Sequence, residues 1–514
     1  MSQSDSPPPG PDLVLGVPLS SVPTSGVLAG HVDGEAVLLA RLDDGIFAVG
    51  GTCTHYGAAL AEGLASNGEI HCPWHHACFS LRTGAALKAP AFAPLARWRV
   101  ETVGDTVFVR GQVDSVEEET VAADSSTHPN RIVIIGGGAA AFAAAERLRG
   151  LGFNGSLTML SADSDPPCDR PNLCKDYLAG TASEDWIPLQ PDHFYTERKI
   201  DLRLSCEVTA IDKSAREVHT RDGESFGYDA LLIATGAEPV RLPLPGFDRP
   251  NVFALRSLAD ARAIVAHIVA AVGTAKTVAL VGAGFIGMEA AGALRTRGLE
   301  VHVVAREAVP MERALGREFG EFITGLHRDH GVRFHLQASP ASFDGEVLTL
   351  ADGTRIPADL LIVGAGVAPR IALAAAAGLA VENGILVDER LQTSVAGIYA
   401  AGDVARYRHG TERVRIEHWV HSQRQGQAAA ENILGADRVF DDVPFFWTHH
   451  YGLDIRYSGH ALAWDEVRIE GALAAQDCTA RFFHKGELVA AASVGRDQEN
   501  LAIKAELQRQ RIPA

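Results

Sequence analysis

Cysteine and methionine are scarce in this chain, at seven and four among 514 residues. An odd, thinly spread set of cysteines argues against a disulfide framework and for a reducing compartment in which some thiols do chemistry. Basic residues are outnumbered: 46 Lys and Arg stand against 64 Asp and Glu, a net charge of −18. A surface of that sign repels nucleic-acid phosphates and anionic lipid heads, so neither is expected as a partner. No long apolar run occurs either. The longest, from Ile264 to Gly282, is interrupted by His267 and Lys276 and reads as a helix followed by a buried strand. The opening MSQSDSPPPGPDL has neither the basic nor the apolar region of a secretory signal, so a cytoplasmic location is expected. What is present, 46% hydrophobic and 21% charged residues, is ordinary for globular protein and sufficient for several domains.

Residues 12–113 carry short apolar runs broken by Gly, Asp and Asn, with hairpin turns expected at Asp44-Gly45 and Gly104-Asp105. They read as a small all-β domain. The acidic, polar segment 114–129 reads as a linker to everything that follows. From 130 the grammar becomes strand, glycine turn, helix: RIVIIGGGAAAFAAAERLRG is echoed by TVALVGAGFIGMEAAGALRTRG. Each unit is followed by a strand ending in small residues, LLIATGAEP and LLIVGAGVAP, so two nested Rossmann-like α/β domains are expected. The first takes 130–250 and 385–437, and the second 251–384. The alternating pattern of 438–514 suggests a small α+β C-terminal domain.

Chemistry enters at Cys53-Thr54-His55 and Cys72-Pro73-Trp74-His75. C-x-H followed by C-x-x-H, on two loops of a β domain, supplies two thiolates and two imidazoles. That is the ligand set of a Rieske [2Fe–2S] centre, with Cys53 and Cys72 on one iron and His55 and His75 on the other. Tetrahedral zinc is the chemical rival, although zinc fingers seldom mix Cys and His within each half. Ala58, Trp74 and Ala77 stand where high-potential Rieske proteins carry a disulfide and a hydroxyl donor, so a lower potential is expected. His76 stands where glycine is common. It reads as a tolerated surface residue, unless the loop needs a positive φ there.

Gly136, Gly138 and Ala141 form G-x-G-x-x-A between a strand and a helix, a turn through which backbone can approach a pyrophosphate. Asp163, near the end of the next strand, is the candidate for ribose hydroxyls. Gly282, Gly284 and Gly287 form a complete G-x-G-x-x-G, which marks an NAD(P)H site. Glu289 lies early in the helix that follows. After the strand EVHVV, Arg306 could pair with a 2′-phosphate while Glu307 would favour NADH, so both NADH and NADPH stay open.

Further segments carry a resemblance. Thr235-Gly236 in ATG and Asp403 in TSVAGIYAAGDVA resemble flavin fingerprints of two-dinucleotide-domain flavoproteins. Asp169-Arg170-Pro171 with Lys175 resembles a DRPxLSK loop, and Glu417-His418-Trp419 and Phe446-Trp447-Thr448 match later segments. About nine-tenths of the chain resembles the Rieske-containing FAD/NAD(P)-dependent oxidoreductases, which are similar to apoptosis-inducing-factor-like proteins and oxygenase-coupled ferredoxin reductases. The resemblance implies FAD, a [2Fe–2S] cluster and NADH or NADPH as cofactors. It places Arg170, Lys175, Thr235, Gly236, Asp403, Trp419 and Trp447 at the flavin, and Glu289 near the nicotinamide end. Lys175 and Glu289 are the candidate catalytic residues. It further implies electron flow from NAD(P)H through FAD and the cluster to a one-electron acceptor, a ferredoxin or an oxygenase component. Homo-oligomerisation is compatible with it.

Two other readings compete. Cys168 and Cys174 in C-x₅-C spacing could serve a disulfide reductase, although enzymes of that class use a closer pair. Alternatively, NAD(P)H binding could govern assembly, in a redox-sensing interaction protein.

Overall fold

The computed structural model describes residues 9–113, 129–270, 277–410 and 412–510. The expected linker lies outside the described residues except for position 129.

Two antiparallel sheets make up the N-terminal stretch. Six strands run in the order Val17–Pro18, Thr106–Val113, Arg97–Val103, Gly45–Gly50, Glu35–Leu42 and Leu28–Val32. Four more run in the order Leu64–Ser66, Glu69–His71, Cys78–Ser80 and Ala86–Lys88. Successive side chains of a strand point to opposite faces, and Glu35–Leu42 uses both. Val37 and Leu39 enter one core with Val107 and Val109, while Leu38 and Ala40 enter a second core with Cys53, Cys72 and Phe79. That second core lies beneath the two cysteine loops. The hairpin at Gly104-Asp105 falls between paired Val103 and Thr106 as expected. The other turns at Asp43-Asp44, and Gly45 opens the next strand opposite Leu42.

Beyond residue 129 stand two parallel five-stranded sheets. The first has the order Asp201–Arg203, Ser156–Leu160, Arg131–Ile135, Ala230–Ile233 and Ile398–Ala400. The second has the order Val252–Phe253, Leu360–Val363, Thr277–Val281, Glu300–Val304 and Arg333–His335. The unbroken apolar runs RIVII, ALLI, TVALV and LLIV suit strands covered on both faces, and their residues are almost all buried. The chain leaves the first sheet after Ala230–Ile233, builds the second, and returns at Ile398–Ala400. Helix Ala139–Gly150 then packs on helix Trp419–Ile433. The two approach closely at Gly426, where a Cβ would lie 2.2 Å from the Ala140 carbonyl oxygen.

The C-terminal stretch is an antiparallel sheet in the order Phe445–His450, Leu453–Gly459, Glu487–Val494, Asp477–His484 and Glu466–Ala472, packed against helix Asp497–Arg509. Among the described residues no helix is long and apolar enough to cross a membrane.

Candidate functional site

Cys53 and Cys72 each open a short loop that closes on itself in the same way. The Cys53 amide donates to the Ala58 carbonyl at 2.9 Å, and the Cys72 amide donates to the Ala77 carbonyl at 2.8 Å. Both cysteines are buried, and the hydrogen bond between their thiols holds Cys53 below its ordinary pKa. Beside them, His55 Nδ1 and His75 Nδ1 stand 3.1 Å apart. Thiol thus faces thiol and imidazole faces imidazole. Among the described residues, the one trio of potential ligands within 4.8 Å of one another is Glu69, His71 and Cys78. The four loop ligands therefore do not converge as one tetrahedral zinc ion requires. The donor set fits a two-iron cluster with unlike ends.

His76 corrects the surface reading. Its φ is +60° and it is buried, stacked on Phe445 at 3.7 Å. The Arg424 guanidinium donates to its carbonyl. The loop requires a left-handed residue here, and the packing across the junction accommodates the ring.

A cavity of about 1570 Å³ runs between the two parallel sheets. It exceeds the roughly 300–1,000 Å³ of an ordinary ligand pocket and is long enough to be lined by both glycine turns. Its walls include Gly136, Gly138, Asp163, Arg170, Lys175, Thr235, Gly236, Asp403, Trp419 and Trp447 from the flavin set. Gly282, Gly284, Gly287 and Glu289 line it from the other side. Two expected residues are not brought to the wall. Ala141 is buried in the helix Ala139–Gly150, and Arg306 stands exposed past the strand Glu300–Val304.

The two turns are near copies. Gly136 has φ +132° and a Cβ there would lie 2.3 Å from the Ala234 carbonyl oxygen; Gly282 has φ +115° with the same 2.3 Å clearance to Gly364. Each helix then begins after Gly138 or Gly284, with no side-chain cap on its first amides. At Gly284 a Cβ would meet nothing within 4 Å, and at Gly138 it would meet only Arg170. Free amides beside open space fit a pyrophosphate.

Charged groups are tied to one another around the cavity. Lys175 Nζ donates to Glu289 Oε2 at 2.7 Å, and Glu289 is buried. Burial alone would lower the Lys175 pKa, but neighbouring Cys174 and the Glu289 carboxylate raise it above the usual ammonium range. Asp403 is also buried; desolvation would raise it, yet Arg256 at 2.7 Å and Ser422 at 2.8 Å hold its pKa below the ordinary value. Arg170 bonds Asp163 at 2.9 Å. Arg256 and Ser422 escaped the sequence reading because nothing adjacent in sequence marks them. Of the two cysteines in the competing disulfide-reductase reading, both are buried thiols, and Cys174 donates to Glu289 Oε2 at 2.9 Å.

The cysteine loops do not hang from a linker alone; they rest on the body. The Arg424 Nε donates to the Ala89 carbonyl at 3.1 Å, Gln427 accepts from the Ala89 amide at 3.0 Å, and Arg456 donates to the Trp74 carbonyl at 3.1 Å. The Tyr56 hydroxyl donates to Asp169. At the centre of this junction His75 packs on Trp447, with ring centroids 4.1 Å apart.

Comparison with known proteins follows this division. The profile of the pyridine nucleotide-disulphide oxidoreductases matches residues 130–426, that of the Rieske [2Fe-2S] domain 15–99, and that of the reductase C-terminal domain 445–514. The chain belongs to the pyridine nucleotide-disulphide oxidoreductase family. It is 31% identical over 482 residues to apoptosis-inducing factor 3 of Homo sapiens, covering 90% of this chain and 78% of that one. It is 33% identical over 380 residues to rhodocoxin reductase of Rhodococcus erythropolis, covering 73% and 88%. The solved covalent putidaredoxin reductase–putidaredoxin complex superposes with a TM-score of 0.70 at 31% identity, covering 74% of this chain and 93% of that one. The Rieske domain of this family member indicates a [2Fe–2S] cluster, and its oxidoreductase domain FAD.

Proposed function

We propose that this protein is an NAD(P)H-dependent flavoprotein reductase that passes electrons through FAD and a Rieske [2Fe–2S] cluster to a one-electron protein acceptor, a ferredoxin or an oxygenase component. Relatives named as reductases of such systems support this reading, as does a neighbour solved in complex with its redox partner. The observation that carries it is the contact of His75 with Trp447. One ring belongs to the cluster loop and the other lines the dinucleotide cavity.

Bound in that cavity, the flavin supplies conversion of a two-electron hydride into single electrons, and the cluster a one-electron carrier. The chain's part is placement. Gly136 and Gly138 form the turn for the FAD pyrophosphate, with Ala141 packed in the helix behind it, Asp163 toward the ribose and Asp403, Thr235, Gly236 and Trp419 along the flavin. Gly282, Gly284 and Gly287 do the same for NAD(P)H, with Arg306 at the adenosine end. Lys175, held cationic by Glu289, stabilises negative charge at the flavin end. Cys53, His55, Cys72 and His75 hold the cluster.

We assign an all-β Rieske domain (12–113), Rossmann-like FAD (130–250 and 385–437) and NAD(P)H (251–384) domains and a C-terminal domain (438–514), a reading that the two parallel sheets support. We place the protein in the cytoplasm. A disulfide reductase is disfavoured by the engagement of Cys174 with Glu289. Composition is the direct test: purified protein should carry about two iron, two labile sulfides and one FAD per chain. Stoichiometric zinc without sulfide would remove the cluster.

A further inference from the structure

A buried polar chain leads away from Glu289, and the hydride reaction does not account for it. Thr448 Oγ1 donates to Glu289 Oε1 at 2.7 Å. His450 Nε2 lies 3.0 Å from Thr448 Oγ1, and His327 Nε2 lies 3.1 Å from His450 Nδ1. The Tyr451 hydroxyl lies 3.5 Å from His327 Nδ1, the longest link, and its ring stacks on exposed His330 at 3.7 Å. Three elements contribute: Glu289 comes from helix Phe285–Thr296, His327 from helix Glu312–Asp329, and Thr448 and His450 from strand Phe445–His450. The strand's period of two separates its duties. Phe445 and Trp447 turn to His76 and His75, while Thr448 and His450 turn to the helices.

We infer that Thr448, His450, His327 and Tyr451 form a proton relay joining buried Glu289, at the cavity, to the protein surface at His330. The inference rests on the reductase reading of the cavity. Its balance is NAD(P)H + 2 A(oxidised) → NAD(P)⁺ + H⁺ + 2 A(reduced), where A accepts one electron. The two electrons of the hydride leave one at a time, and the hydrogen nucleus must leave the site as a proton. Glu289 is the carboxylate of that site from which the hydrogen-bonded chain departs, and the relay is the way out.

The donor directions are consistent. A carboxylate only accepts, so Thr448 donates to Glu289 and must accept from His450 Nε2–H. His450 Nδ1 then accepts from His327 Nε2–H, and His327 Nδ1 from the Tyr451 hydroxyl. Every ring has one proton and one lone pair; with Glu289 protonated and both rings in the Nδ1–H tautomer, each proton hops one link outward, Tyr451 gives one to water, and the set returns to the directions above. The neighbours keep the rings neutral. Burial lowers the pKa of His450, reinforced by His327, His449 and Lys175, and burial brings that of His327 down to about 3, with His330 adding to it. Burial keeps Tyr451 protonated, with its pKa raised to about 12. A network that merely satisfied buried polar groups would not need to reach the surface.

The test follows proton release and electron transfer together in the holoenzyme. NAD(P)H is mixed with ferricyanide as the one-electron acceptor, in weak buffer containing a pH-indicator dye. His450→Gln keeps hydrogen bonding but cannot exchange ring protons. It should retain FAD, cluster and the rate of flavin bleaching by NAD(P)H, while proton release slows on the order of tenfold to a hundredfold. Imidazole added to His450→Ala should restore the release rate. Tyr451→Phe, at the half-exposed outer end, should give the same lag and covers the case in which neither His450 variant folds. Proton release as fast as in the wild type in the folded variants, or no rescue by imidazole, overturns the relay. A wild-type protein that NAD(P)H does not bleach overturns the reductase reading instead.

Discussion

His75 and Trp447, 372 positions apart in sequence, meet with ring centroids 4.1 Å apart and an interplanar angle of 49°. Trp447 also has the Lys175 ammonium 5.8 Å from its ring centroid. One tryptophan therefore touches the cluster loop and faces the cation of the cavity wall. Trp447→Ala should leave both cofactors bound but slow cluster reduction by on the order of tenfold to a hundredfold, because it opens a gap at the junction. Stopped-flow absorbance of flavin and cluster bands under anaerobic conditions measures both. An unchanged cluster rate would show that the contact is only packing.

Gly284 separates binding from folding. A Cβ there meets nothing within 4 Å, so Gly284→Asp should fold, keep FAD, and place a carboxylate against the pyrophosphate. Like charges at such a contact cost several kcal/mol, so NAD(P)H affinity should fall by about a hundredfold or more. Gly136→Asp should instead fail to fold or lose FAD, since its Cβ would lie 2.3 Å from the Ala234 carbonyl oxygen. Titration of nucleotide into each variant checks the contrast.

Arg306 is exposed beyond the second sheet's strand Glu300–Val304. If it takes a 2′-phosphate, Arg306→Ala should raise the KM for NADPH about tenfold, the worth of one charge-assisted hydrogen bond, and leave that for NADH unchanged. Equal effects on both would make it a surface charge.

Asp442 ties the cysteine-loop stretch to the body. It lies 3.2 Å from Arg424 and 3.5 Å from Lys88, and both Asp442 and Arg424 are buried. Burial would raise its pKa, but Lys88 and Arg424 depress it well below the ordinary carboxylate value. A depressed folded pKa gives stability that is present above the unfolded value of about 4 and is lost as pH falls below it. Melting temperature should therefore drop below about pH 4. Asp442→Asn should cost about 3 kcal/mol at neutral pH, as loss of one partner of a buried pair does, and flatten that acid dependence. Melting curves against pH measure both effects.

The cysteine loops and glycine turns were legible because each is local: Cys53 with His55, Cys72 with His75, and Gly136 or Gly282 between strand and helix. The strands RIVII and TVALV announced their burial by unbroken hydrophobicity. What sequence hid is what folding assembles from afar. Arg256 finds Asp403 across 147 positions, and Thr448 finds Glu289 across 159. His76 was misread because its burial is created by Phe445, on a strand of the C-terminal sheet. The junction itself was invisible for the same reason, since Arg424 and Trp447 carry no local signal of what they face.

Electrons entering from NAD(P)H should reach the cluster through the cavity that Trp447 lines and the contact it makes with His75. Intact protein mixed anaerobically with excess NAD(P)H should show flavin bleaching followed by a Rieske-type EPR signal. His75→Ala should lose that signal and the reduction of a one-electron protein acceptor, while keeping FAD and flavin bleaching. Dithionite serves as the control that the cluster is reducible. A flavin that bleaches fully while a dithionite-reducible cluster of adequate potential stays oxidised would contradict the account, as would full protein-acceptor activity in His75→Ala.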